Sequence, residues 1–221
     1  MLNVIYEDNH LLVVEKPVNI LSQGDNTNDD DMVNLLKKYL KEKYNKPGNV
    51  FVGLVHRLDR PVGGIMVFAK TSKAASRLSE QVRNKTFKKT YKAVLHGDMK
   101  KKQDNLSDYL YKDKKTNMVS VVNKNHKDAK DAKLSYKTLS SNNGFSLVEI
   151  DLQTGRPHQI RVQFSSRNHP LYGDQRYGKN VNKKGQQIAL WSYKIEIEHP
   201  TKKEKMEFVC EPPNKYPWNM F

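Results

Sequence analysis

Apolar positions along this chain fall into short runs. Leu11-Leu12-Val13-Val14 and Ile65-Met66-Val67-Phe68-Ala69 are strand-sized, and none of the runs approaches the roughly 20 apolar residues needed to span a bilayer. Asp25-Asn26-Thr27-Asn28-Asp29-Asp30-Asp31 is polar and acidic and ends in residues suited to capping a helix. Residues 32–44 then read as a helix with Val33, Leu36 and Leu40 on one side, stopped by Pro47-Gly48. Residues 51–55 and 64–69 read as strands flanking a turn at 56–63. Thr71 is placed to cap a second helix, with Ala74, Leu78 and Val82 at helical spacing, running to about Lys85. Residues 91–95 read as a further strand. Residues 100–133 are lysine-rich and weakly patterned, and read as a surface hairpin or a mobile loop.

The last third of the chain reads as sheet. Over 146–152, Leu147, Glu149 and Asp151 share one face, and Val148, Ile150 and Leu152 the other. Residues 159–164 alternate as well, with Ile160, Val162 and Phe164 opposite Gln159, Arg161 and Gln163. Residues 188–197 and 206–210 supply two more strands. Few helices among many strands, without strict alternation, predict an α+β fold with a mixed, largely antiparallel sheet. A doubly wound parallel sheet does not fit. No repeat or low-complexity linker divides the 221 residues, so a single domain over 1–221 is expected.

Composition adds a partner. Lys plus Arg is 39 against 24 Asp plus Glu, a net charge of +15. Such a basic domain often works against a polyanion, and nucleic acid is the commonest. A generally lysine-rich genome would give the same balance. No segment pairs a basic face with an aromatic-rich apolar face, which argues against a membrane surface. The N-terminus has no basic region followed by an apolar core, so no signal peptide is expected. Cys210 is the only cysteine, which excludes an internal disulfide and cysteine-pair metal sites and fits a cytoplasmic location.

Three segments could carry chemistry. In His56-Arg57-Leu58-Asp59-Arg60-Pro61-Val62-Gly63-Gly64, an aspartate sits between two arginines, and nearby positive charge keeps a carboxylate ionised. Such a group serves as nucleophile or base, and the glycines allow a sharp turn or close approach of a ligand. An ordinary loop-fixing ion pair has the same local sequence. In Thr154-Gly155-Arg156-Pro157-His158-Gln159-Ile160-Arg161, strand alternation would point Arg161 away from the apolar face, where it could reach a carboxylate; a solvated polar face reads the same way. A lone histidine such as His158 is more often structural. His56, His158 and His169 lack metal-ligand spacing, so no metal is expected. Phe87-Lys88-Lys89-Thr90-Tyr91-Lys92 sets an aromatic among lysines, which suits a base beside a phosphate backbone, or equally a strand with one buried ring. No phosphate loop, dinucleotide fingerprint or Gly-x-Ser-x-Gly elbow is present, and no cofactor is implied.

Taken in order, these segments resemble the RluA-type pseudouridine synthases. The resemblance extends to residues 5–17, similar to that family's first strand pair, and to Pro170-Leu171-Tyr172-Gly173-Asp174-Gln175-Arg176-Tyr177-Gly178. It covers about residues 6–211 and implies the pseudouridine synthase fold, a bent mixed sheet with a central catalytic cleft, and conversion of uridine to pseudouridine. It implies that Asp59 is the catalytic aspartate, that Tyr91 packs on the target base and helps remove its C5 proton, and that Arg161 is the basic partner of Asp59. Arg57 would help open the RNA and fill the gap left by the flipped uridine. Arg60, Arg156, His158, Lys89 and Lys92 would contact RNA, and the lysines of 100–133 would add salt-sensitive phosphate contacts. The family implies a monomer. Two features depart from its pattern. Pro61-Val62-Gly63-Gly64 stands where Thr-Ser-Gly is common, which bears on substrate fit. No S4 RNA-binding segment precedes the catalytic one, so recognition is expected to rest on the catalytic domain's own surface. Ribosomal and transfer RNA are both open as substrates. A non-catalytic RNA-binding or ribosome-assembly factor retaining the fold is the competing reading; an RNA glycosidase or nuclease, which would free uracil or cut the strand, is another.

Overall fold

The computed structural model describes residues 2–27 and 29–221. Asn28, in the acidic stretch before the first helix, lies outside the described residues, as does Met1. In chain order the elements are β1 (Asn3–Glu7), β2 (Leu11–Lys16), α1 (Met32–Lys43), β3 (Gly53–Leu54), β4 (Gly63–Ala69), α2 (Ser72–Arg83), β5 (Lys88–His96), β6 (Gln103–Lys112), β7 (Val119–Val122), β8 (Lys130–Asn142), β9 (Phe145–Leu152), α3 (Gln159–Ser165), β10 (Leu190–Glu198) and β11 (Lys205–Val209). The class is α+β. The chain divides into two compact units, Met1–Lys88 with Ser192–Glu211, and Lys89–Trp191 with Pro212–Phe221.

In the first unit the strand order is β1-β2-β4-β10, with β3 on β4 and β11 on β10. The ladders β1/β2, β2/β4, β3/β4 and β10/β11 are antiparallel. All seven residues of β4 are buried, which is why its sequence is a continuous apolar run. Leu11, Val13, Ile65 and Val67 form one face of a core closed by Ala74 and Leu78 of α2 and Ile195 and Ile197 of β10. Both helices begin where their capping residues stand. Asp31 and Thr71 are extended, and their side-chain oxygens accept the N–H groups of Asn34 and Ala74. Predicted strand 51–55 shrinks to two residues, Gly53–Leu54, and Phe51 at its start is exposed.

Gly64 opens β4 with φ of +111°. A Cβ there would sit far inside contact distance of the Ser192 backbone nitrogen and oxygen. Only glycine meets both conditions. Gly64→Ala is therefore expected to lower stability by more than about 3 kcal/mol, read as a fall in thermal midpoint or loss of soluble protein.

In the second unit the order is β5-β9-β8-β6-β7, antiparallel throughout. Residues 100–133 do hold a hairpin, β6–β7, but not a mobile loop: with the start of β8 it belongs to the sheet, and Leu106, Leu110, Val119 and Ala132 are buried. One expectation fails outright. Residues 159–164 are not a strand but the body of α3. Every side chain from Gln159 to Phe164 is buried, so the alternation of apolar and polar types does not mark an inside and an outside face. Its polar members are accommodated by hydrogen bonds instead. No helix among the described residues is long and apolar enough to cross a membrane.

Candidate active site

The turn that carries Asp59 is assembled from below. Lys16, the last residue of β2, is 0% exposed. Its Nζ donates to the carbonyls of Pro17 (2.9 Å), Ile20 (2.6 Å) and Arg60 (3.0 Å). The Arg60 carbonyl also accepts the Asn19 N–H at 2.9 Å. Ser22 Oγ donates to the Leu58 carbonyl and accepts the Leu58 N–H, at 2.8 and 3.0 Å. Residues 16–22 thus hold both neighbours of Asp59 by their backbones. Above, the Val67 N–H of β4 donates to His56 Nε2 at 3.0 Å, so His56 serves as a brace for the turn. Burial pushes the Lys16 ammonium down to about 7, while the negative charge of Asp59 opposes that fall. Sequence reading did not single out Lys16; the signal was a lysine two residues past the apolar run 11–14.

The two arginines diverge. Arg60 Nη1 pairs with Asp29 at 2.8 Å and its Nε donates to the Asn19 carbonyl at 3.2 Å, so Arg60 is drawn to the acidic stretch before α1. Arg57 is exposed and, with Gln23, Val33, Leu54 and His56, lines a cavity of about 420 Å³. Asp59 itself is half-buried.

In the second unit, β5 carries Lys89, Tyr91 and Lys92, and pairs Thr90 with Asp151 and Tyr91 with Ile150 on β9. Tyr91 is buried, and burial lowers the Lys89 ammonium from its usual value. Lys89 Nζ is 3.4 Å from the position a Cβ on Gly155 would take, which sets it beside the turn leading into α3. That turn is built around Gln159. Its Oε1 accepts from Thr154 Oγ1 (2.8 Å) and the Arg156 N–H (3.1 Å); its Nε2 donates to the Lys133 carbonyl (3.1 Å) and Gln163 Oε1 (3.0 Å). All four positions of the amide are used, so Gln159 is a brace. Arg156 Nε donates to the Asp131 carbonyl at 2.8 Å.

Arg161 is 6% exposed and meets Asp174 with two charge-assisted hydrogen bonds, Nε to Oδ2 and Nη2 to Oδ1, each 2.8 Å. Asp174 Oδ1 also accepts the N–H groups of Arg176 and Tyr177. Burial alone would raise the Asp174 carboxyl, but Arg161 and those two N–H groups hold it below its usual value. The Arg161 guanidinium carbon lies 5.2 Å from the Tyr177 ring centroid. Tyr177 hydroxyl is 2.7 Å from His158 Nδ1. His158 is left-handed (φ 52°) at the start of α3. Asp174 and Tyr177 lie in the 170–178 segment, to which the sequence assigned no roles. Asp174→Asn leaves a buried guanidinium short of charge and is expected to cost about 3 kcal/mol or more. Since the folded carboxyl is depressed, that stabilisation is present above the unfolded value near 3.8 and lost as pH falls through the lower folded value. Thermal melts of both proteins should therefore differ at pH 7 and converge in acid.

The sequence matches the family model described as RNA pseudouridylate synthase over residues 10–166. It is 34% identical over 215 residues to an uncharacterized RNA pseudouridine synthase of Bacillus subtilis, covering 96% of this chain and 68% of that one. It is 32% identical over 218 residues to ribosomal large subunit pseudouridine synthase D of Borreliella burgdorferi, covering 96% of this chain and 66% of that one. The chain thus spans about two thirds of the length of these relatives. Among solved structures, human RNA pseudouridylate synthase domain containing 4 superposes with a TM-score of 0.78 at 21% identity, over 96% of this chain and 88% of that one. Human RNA pseudouridylate synthase domain containing 1 gives 0.76 at 23%, over 98% and 85%. These two likenesses show the pseudouridine synthase fold.

Proposed function

Because the chain belongs to the RNA pseudouridylate synthase family, whose members are isomerases, we propose that it converts a specific uridine to pseudouridine in a structured RNA, with Asp59 as the catalytic carboxylate. The reaction breaks the C1'–N1 bond, turns the uracil and joins C1' to C5; the C5 proton leaves and N1 gains one. A folded RNA hides these atoms, so the uridine is flipped into a pocket. Asp59 acts on the ribose, by attack at C1' or by removal of the 2' proton. Carboxylate attack at an anomeric carbon has precedent in retaining glycosidases, which use a second carboxylate to bring in water. Here the base is kept and no water is needed.

The observation that carries this reading is the construction of the Asp59 turn. Four hydrogen bonds fix the backbone on either side of the carboxylate, through Ser22 to Leu58 and through Lys16 and Asn19 to Arg60. A surface ion pair would not need that support; a reacting group held to a fraction of an ångström does. Tyr91 is assigned to the target base and its C5 proton, and Arg161 to the positive charge the carboxylate works beside. Arg57, Arg60, Lys89, Lys92, Arg156 and His158 are assigned to the RNA. The names of relatives such as ribosomal large subunit pseudouridine synthase D favour ribosomal RNA as the first substrate to try, ahead of transfer RNA. The protein is assigned to the cytoplasm, as a single catalytic domain and a monomer.

Bulk RNA treated with the protein, labelled with carbodiimide and reverse-transcribed, will show a new stop at the modified uridine. The stop is absent with Asp59→Ala. Tight binding without a stop in ribosomal or transfer RNA would favour a non-catalytic binding factor.

A further inference from the structure

We propose that Tyr177 is a positioning residue that ties the β6–β7 hairpin to His158 and seats Arg161, so that RNA held on the hairpin sets the geometry of both. The inference rests on the reading of the chain as an RNA isomerase.

Tyr177 is half-buried and has partners on two sides. Toward α3, its ring lies under the Arg161 guanidinium at 5.2 Å, and its N–H donates to the same Asp174 carboxylate that grips Arg161. Two of the five Arg161 N–H groups are committed to Asp174, and the ring fixes the plane of the rest. Toward the hairpin, its hydroxyl accepts the Val119 N–H of β7 at 3.0 Å. The same oxygen lies 2.7 Å from His158 Nδ1, so one hydroxyl bonds both the hairpin backbone and the imidazole and fixes the orientation of the ring assigned to RNA.

The neighbouring residue repeats the link. Arg176 Nη1 donates to the Asn117 carbonyl, in the turn between β6 and β7, at 3.0 Å. That turn presents Lys114 and Lys115, both exposed. β7 is a four-residue strand at the end of the sheet, paired among the described strands with β6 alone, so its outer edge has no ladder. Tyr177 and Arg176 supply the missing anchorage, and Val119 and Tyr177 share a small apolar cluster with Val162 of α3. Lysines that attract a phosphate backbone are thus joined, through Arg176 and Tyr177, to His158 and Arg161.

Two variants separate the two ends of the residue. Tyr177→Phe keeps the ring and removes the hydroxyl; Tyr177→Leu removes both. Steady-state kinetics on a uridine-containing RNA are compared with thermal midpoints. Tyr177→Phe should raise KM about fivefold, the worth of one hydrogen bond, with kcat within about twofold. Tyr177→Leu should in addition lower kcat about tenfold, the effect of an unseated guanidinium. Unchanged KM and kcat in folded Tyr177→Phe would overturn the proposal, even if its midpoint fell. If the wild type binds RNA but isomerises nothing, the functional reading fails on its own account. The dissociation constants of the same variants then decide: fivefold weaker binding by Tyr177→Phe sustains the proposal and equal binding overturns it.

Discussion

Asp59→Asn should bind RNA within about twofold of wild type while losing about three orders of magnitude in the rate of isomerisation. The substitution is isosteric. It preserves the shape of the turn, and the Leu58 and Arg60 backbone bonds to Ser22, Asn19 and Lys16 do not involve the side chain. What it removes is the negative charge, and with it both the nucleophile and the base. Single-turnover rates against filter-binding constants separate the two quantities. Equal losses in binding and rate would make Asp59 an RNA-contacting residue; no loss in either would make it part of the scaffold.

The second large effect is expected at Lys16. Lys16→Met keeps the volume and removes the buried ammonium, leaving the carbonyls of Pro17 and Ile20 without this partner and the Arg60 carbonyl with Asn19. A loss of about 3 kcal/mol or more is expected, together with a slower reaction because the backbone next to Asp59 is released. The variant also has a pH signature. The folded Lys16 titrates near 7 and the unfolded one near 10.5, so between those values the unfolded chain binds more protons. Stability contributed through Lys16 therefore rises with pH across that window. Below 7 both states are protonated and the cost of burying the charge is fully present. Melting curves from pH 6 to 10 should show this rise in the wild type and a flatter profile in Lys16→Met. Parallel profiles would contradict it.

Much of this arrangement was legible before the structure. The caps Asp31 and Thr71 located α1 and α2, and the apolar runs 11–14 and 65–69 located the central strands β2 and β4. The faces of β9 were read correctly too: Val148 and Ile150 are fully buried. The failures share a cause. In α3, Gln159, Arg161 and Gln163 are as buried as their apolar neighbours, so helical periodicity never surfaces in a seven-residue element. Partners distant in sequence, Asp174 and the Lys133 and Ala132 carbonyls, make those polar side chains tolerable there. In residues 100–133, Leu106, Leu110, Val119 and Ala132 are the buried positions among many exposed lysines, too sparse to signal strands.

The sequence nominates site residues by motif, and the supports around them come from the structure alone. Motif order pointed to Asp59, Tyr91 and Arg161. It did not anticipate that Arg60 would turn to Asp29, because adjacent side chains in a turn diverge. Lys16 reaches Arg60 44 residues on, Tyr177 reaches Val119 58 residues back and Asp174 grips Arg161 13 residues back, and single-sequence patterns carry no such information.

The most direct test of the central claim uses the RNA in which the protein forms pseudouridine, prepared with tritium at uracil C5. Joining C1' to C5 expels that hydrogen, so wild-type protein should release tritium into water in step with pseudouridine formed, and Asp59→Asn should release almost none. Release at the wild-type rate by Asp59→Asn would contradict the account.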